Sequence, residues 1–238
     1  ASGVAADVAI TGARISGIGT GLRGERELDA TVNVVAPGFI DIHTHFDAQV
    51  FWDPALTPSC FHGVTTVVAG NCGFSIAPTR PEHRSTIART LENVEDMNVD
   101  TLNAGIPWDF ETFPEYLDAV SKRGSVLNYT AYIGHTALRL FAMGDAAYER
   151  AATDDEIARM SALVTEAVKA GAAGFATSFA PTHVGMEGKP VPSRFAERKE
   201  FDALCAAVAA AGKGVVAVAP GENESIPDLY ELQPKIGR

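Results

Sequence analysis

Two hydrophobic periods alternate along most of the chain. Continuous β-branched runs, Val64-Thr65-Thr66-Val67-Val68 and Val215-Val216-Ala217-Val218, read as strands buried on both faces of a parallel sheet. Between them the apolar positions switch to helical spacing. Ile157, Met160, Val164, Ala167 and Val168 form one stripe behind Thr153-Asp154-Asp155-Glu156. That tetrapeptide predicts a capping box, with Thr153 as N-cap and Glu156 three residues on, and Gly171 ends the helix. Phe201, Leu204, Cys205 and Val208 line a second helix that Gly212 stops. Further helices are expected over residues 82–93 and 113–122, with a short one near 59–62, while the stretch around Pro107 and Trp108 reads as irregular.

Five long strands are expected, ending near Ile42, Val68, Ile133, Thr177 and Val218. Strand–helix alternation of this kind predicts right-handed βαβ units and a parallel sheet. A (β/α)8 barrel is favoured over a doubly wound sheet, because no glycine-rich phosphate turn follows the first strand. Ahead of that strand, residues 7–33 hold short glycine-broken pieces whose alternation suggests small antiparallel strands. The expected division is therefore a β appendage over residues 1–34 and an incomplete barrel over 35–238.

The first long strand carries the most pointed chemistry. Val32, Val34 and Val35 break at Pro37-Gly38, and the run resumes with Phe39, Ile40 and Ile42, predicting a buried, kinked strand that ends in His43-Thr44-His45. Residues two apart on a strand share a face, so both imidazoles can grip one ion. Asp41 shares that face and is placed to orient a ring. The plainer reading of this tripeptide is two polar residues in a strand-to-loop turn. Cys72, flanked by Gly70-Asn71 and Gly73, falls at the next strand end. It suits a thiolate ligand completing a zinc site better than a nucleophile or a small core filler. His135 closes a further strand and is assigned to the substrate side, with a loop histidine as the bland alternative. His183 lies in a loop as a candidate ligand or substrate contact, or neither, and Lys189 and Arg194 flanking that loop are candidates for meeting a substrate carboxylate, with solvated side chains as the plainer reading. His62 and His83 read as surface or capping residues, and Cys205 as core.

Composition narrows the class. The chain has 238 residues, 46% hydrophobic, and a formal charge of −11, which argues against nucleic-acid and anionic-membrane partners. Three cysteines at irregular spacing make no disulfide framework and suggest a reducing compartment, the cytoplasm. No apolar run reaches the ~18 residues of a membrane span, and no signal peptide is visible. A small-molecule enzyme fits, and a homo-oligomer is left open.

PGFIDIHTHFD, then HGVTTVVAGNCGFSIAP, then YIGHTALR resemble the N-acyl-D-amino-acid deacylases (D-aminoacylases) of the amidohydrolase superfamily. The resemblance spans about Asp7 to Gly212. It implies a metal-bearing (β/α)8 barrel with a small β-sandwich, and amide hydrolysis by a metal-activated hydroxide. It implies one or two Zn2+ ions, with His43, His45 and Cys72 as ligands and Cys72 in place of the carboxylated lysine of hydantoinases. His135 matches the family's Gly-His motif. Two departures stand out. Ala219 occupies the place of an expected histidine ligand, with His183 and Glu222 as the nearby substitutes. The family's remaining strands and its late general-base aspartate lie outside these residues, so the rest of the polypeptide is needed to close the barrel. The implied activity is removal of the acyl group from an N-acyl-D-amino acid. Hydrolysis of another C–N bond, in a cyclic amide or other acyl amine, and a metal-depleted non-catalytic barrel are the alternatives.

Overall fold

The computed structural model describes residues 3–185, 188–221 and 224–237. The chain divides into two compact units, Ala1–Gly38 and Phe39–Arg238. In the first, strands β1 (Asp7–Thr11) and β2 (Arg14–Gly19) pair antiparallel. The two residues between them begin with Gly12 at φ 62°, the positive angle a tight hairpin needs. Ile10, Ile15 and Ile18 of this hairpin stay exposed.

The second unit is built on five parallel strands in sequential order: β3 (Phe39–Asp41), β4 (Val64–Ala69), β5 (Asn128–Gly134), β6 (Gly174–Ser178) and β7 (Val215–Ala219). Every neighbouring pair is parallel. A doubly wound sheet reverses its strand order at a switch point, and this one does not. The sheet is a five-strand portion of a (β/α)8 barrel.

Helices cover the outside. α1 (Arg84–Glu95), α2 (Val99–Gly105) and α3 (Phe113–Arg123) lie between β4 and β5. α4 (His135–Met143) and α5 (Asp154–Ala170) lead to β6, α6 (Arg198–Ala210) to β7, and α7 (Ile226–Ile236) follows. The capping box of α5 forms as its sequence predicts: Thr153 accepts from the Glu156 N–H, and Glu156 reaches back to Thr153. The core sits between sheet and helices. Val67, Ala131, Ile133 and Phe175 from the strands meet Tyr116, Met160, Val164, Phe201 and Leu204 from the helices, all at zero exposure. Cys205 is buried with them, as its helical face predicts.

The first long strand differs from expectation. Val32, Val34 and Val35 are exposed and carry no strand, and β3 begins only at Phe39, whose N–H donates to the Gly63 carbonyl at 2.9 Å. Pro37 brings no N–H to a ladder, which explains why pairing starts after it. Nor is β3 buried, since Phe39 and Ile40 are 66% and 62% exposed on the sheet's edge. The region around Trp108 contains one helix that propensity did not announce, α2, whose N-cap Asn98 accepts from the Thr101 N–H. His83 takes the N-cap position of α1, one of its two expected places, but it is buried rather than on the surface.

Candidate metal centre

Two loops at the carboxyl ends of β3 and β4 build the site, and three side-chain hydrogen bonds and one backbone hydrogen bond lock them together. Thr44 donates its hydroxyl to the Val68 carbonyl at 2.9 Å, and its N–H reaches the same oxygen at 3.1 Å. Asn71 donates its amide to Val68 and Thr44 carbonyls. Buried Asp47 accepts the Gly70 N–H at 2.9 Å. Gly70 is required there: its φ is +74°, and a Cβ would stand 2.3 Å from the Tyr132 carbonyl oxygen. Cys72 itself sits at φ 54°, a left-handed conformation that costs a non-glycine residue about 1–3 kcal/mol. Such strain is kept where surrounding contacts over-determine it, and here it aims the thiol.

The result brings His43, His45 and Cys72 together. One ligand atom from each lies within 4.8 Å of the other two, and His43 Nε2 stands 3.4 Å from Cys72 Sγ. The histidines lie just past β3 rather than in it, and their ring centroids are 5.5 Å apart. Burial, then the nearby His43 and His183, pushes His45 down to about 4, so its imidazole is neutral at pH 7. Its Nδ1 is buried without a hydrogen-bond partner among the described residues, while Nε2 lies 3.3 Å from Glu95 Oε1. Burial, then Glu95, raises the Cys72 thiol to about 11. Two imidazoles and one thiol in mutual reach are a donor set that fits zinc. Asp41 differs from expectation, because its carboxylate accepts the backbone N–H of His43 instead of orienting a ring.

The remaining predicted residues divide. His183 belongs to the site's surroundings: its charge acts on His45, its ring meets Phe74 edge-on at 5.1 Å, and Nδ1 is 2.6 Å from Ser178 Oγ. Arg194 donates to the Pro181 carbonyl and helps hold His183 below its ordinary pKa, after burial. Lys189 is exposed in the same loop and its carbonyl accepts the Gly185 N–H. His135 is elsewhere. It starts α4 at zero exposure, with Nδ1 2.7 Å from Thr177 Oγ1 and Nε2 2.7 Å from Glu200 Oε1. Glu200 also receives Arg139, itself fully buried. Both ring nitrogens of His135 are therefore committed to a buried network, with none turned to a substrate. Ala219 ends β7 without a donor group, and Glu222 lies outside the described residues. Sequence reasoning passed over Asp47, Ser178 and Glu95. The last had a signal, an acidic Glu95-Asp96 pair where a helix end disfavours acids.

Fold and site together define five strands of a (β/α)8 barrel, of the kind that carries metal donors on its carboxyl rim. The chain belongs to the amidohydrolase family, whose profile it matches over residues 26–234. It is 36% identical to the D-aminoacylase of Alcaligenes xylosoxydans xylosoxydans over 98% of its length and 44% of that protein's. A solved D-aminoacylase with a binuclear metal centre superposes with a TM-score of 0.74 at 34% identity, covering 100% of this chain and 46% of that one. The N-acyl-D-glutamate deacylase of Bordetella bronchiseptica, complexed with zinc and a phosphonate inhibitor, gives 0.75 at 29% identity over 98% and 45%. The chain thus spans less than half the length of these relatives. Among the described residues no helix is long and apolar enough to cross a membrane.

Proposed function

We propose that this chain carries the metal centre of an N-acyl-D-amino-acid deacylase, a zinc-dependent amidohydrolase acting on a non-peptide C–N bond. The convergence of His43, His45 and Cys72 at the barrel rim supports this reading most directly. These three would hold one zinc ion, or the first of two. A zinc ion bound there lowers the pKa of water towards neutrality and polarises an amide carbonyl.

The chain's own residues prepare the rest. His45, neutral at pH 7, keeps a lone pair for the cation. Cys72 must give up its proton on binding, so loading releases a proton and strengthens as pH rises. Ser178 holds Nδ1 of His183, leaving Nε2 of that ring for a substrate polar group. Arg194, beside it, offers a guanidinium to the substrate carboxylate, with Lys189 on the same loop. All three cysteines are free, in keeping with a reducing compartment such as the cytoplasm.

The test is zinc content and turnover of the full polypeptide beside Cys72→Ala. Wild type should hold one or two zinc ions per chain and release the amino acid from N-acetyl-D-amino acids, and the variant should lose both properties. A second reading, hydrolysis of a different C–N bond, rests on Ala219, which leaves the end of β7 without a donor. Turnover of hydantoin or dihydroorotate, with N-acetyl-D-amino acids untouched, would select it. A protein that takes up no metal even with added zinc would refute both and leave a binding scaffold.

A further inference from the structure

Glu95 is the last residue of α1, and its side chain is turned inward, 20% exposed. Its Oε1 lies 3.3 Å from His45 Nε2. Two donors held ~2.0–2.1 Å from one ion at a tetrahedral angle stand ~3.3 Å apart, so this is the spacing of two ligands sharing a cation. An imidazole and a thiolate on the same ion would stand ~3.6 Å apart by the same geometry, and His43 Nε2 and Cys72 Sγ are at 3.4 Å. Glu95 lies outside the mutually close trio, on its His45 side.

The helix end adds a second, independent argument. Carbonyls at a helix C-terminus favour cations and disfavour anions. α1 nevertheless ends in Glu95 followed by Asp96, has no basic residue in its last turn, and turns out through Asp96 at φ 53°. Two adjacent carboxylates at a negative helix end, one of them mostly buried, are costly without a positive charge nearby. Among the described residues Glu95 lies beside His45, an imidazole rather than a lysine or arginine side chain.

We propose that Glu95 is the fourth protein ligand of the metal centre, supplied by a helix rather than by a strand end. This rests on His43, His45 and Cys72 forming that centre. A site of two imidazoles, one thiolate and one carboxylate carries two negative charges against a divalent ion. It is neutral when loaded, which suits its partly buried setting.

Cobalt(II) in place of zinc reads the two ideas separately. The full polypeptide is loaded with Co2+, and its absorption is compared with Glu95→Gln and Glu95→Ala, alongside zinc affinity by chelator competition. Wild type should show the intense near-ultraviolet band of thiolate bound to cobalt, with strong visible bands of a four-coordinate ion. Both variants should keep the thiolate band, shift and weaken the visible bands, and bind zinc about 10–100-fold more weakly or worse. Unchanged visible bands in both variants would overturn the proposal, whether or not affinity falls. Glu95 would then only hold the Nε2–H of His45, with Nδ1 on the ion. Absence of the thiolate band in wild type would sink the three-residue centre itself, and the proposal with it.

Discussion

At the scale of single residues, geometry that looks local turns out to be enforced from a distance. Gly70 is the sharpest case, because its positive φ and its contact with the Tyr132 carbonyl exclude any side chain. Gly70→Ala should lower stability by about 1–3 kcal/mol and weaken zinc binding together, since the same turn aims Cys72. Denaturant melts of the apo protein and chelator competition would check it, and normal values in both would refute the account. Glu200 makes a second case. It is held below the ordinary carboxylate range because the His135 hydrogen bond and the Arg139 charge outweigh the cost of burial. Glu200→Ala strands the guanidinium of fully buried Arg139 and should cost about 3–5 kcal/mol. The proposed metal ligands His43, His45 and Cys72 make no hydrogen bond to this network among the described residues, so the cobalt spectrum should survive in any folded fraction. How legible these residues were depends on sequence separation. His43, His45 and Cys72 could be read because each marks the end of a recognisable strand. Glu95 and Asp47 could not, because what matters is which loop or helix end folds back onto them.

At the scale of elements, strand ends were legible to within a residue, Val68 against Ala69 and Val218 against Ala219, because β-branched runs stop at glycine or proline. Helices following a strand without a turn were not: α4 begins at His135 immediately after β5, so YIGH reads as one strand. α7 was missed for a different reason, an internal Pro234 that propensity penalises. The best-marked element is α5, and it carries a pH prediction. Glu156 closes the capping box with Thr153 and is paired with Arg150 at 2.8 Å, which with the cap hydrogen bonds brings it down to about 2 from an ordinary 4.5. A carboxyl lowered on folding stabilises above its unfolded pKa and loses that contribution as pH falls through the folded one. Stability from this cap is therefore complete above pH 4.5 and gone near pH 2. Glu156→Gln should cost about 1 kcal/mol at pH 7, and its disadvantage should shrink through that window. A constant difference from pH 7 to pH 2 in urea melts would show that the ion pair and cap do not contribute as described.

At the scale of the whole molecule, the sheet runs β3 to β7 without meeting itself, so two edges remain. On the first, Phe39 is 66%, Ile40 62% and neighbouring Ile42 68% exposed, with Phe61 at 78%. On the other, Val215 is 47% exposed. Apolar strand edges of this kind pair with other chains. The sequence foretold this in outline, since five strands are too few to close a barrel. It misjudged the Val32–Val35 run, whose β-propensity has no neighbour to pair with once Pro37 intervenes. Residues 1–238 expressed alone should therefore bind a hydrophobic dye and self-associate with rising concentration. Ile40→Lys places a charge on the β3 edge without altering a buried side chain. It should reduce both effects, read by light scattering and dye fluorescence. A monodisperse, dye-silent wild-type chain at tens of micromolar would mean that these edges are covered by the chain itself.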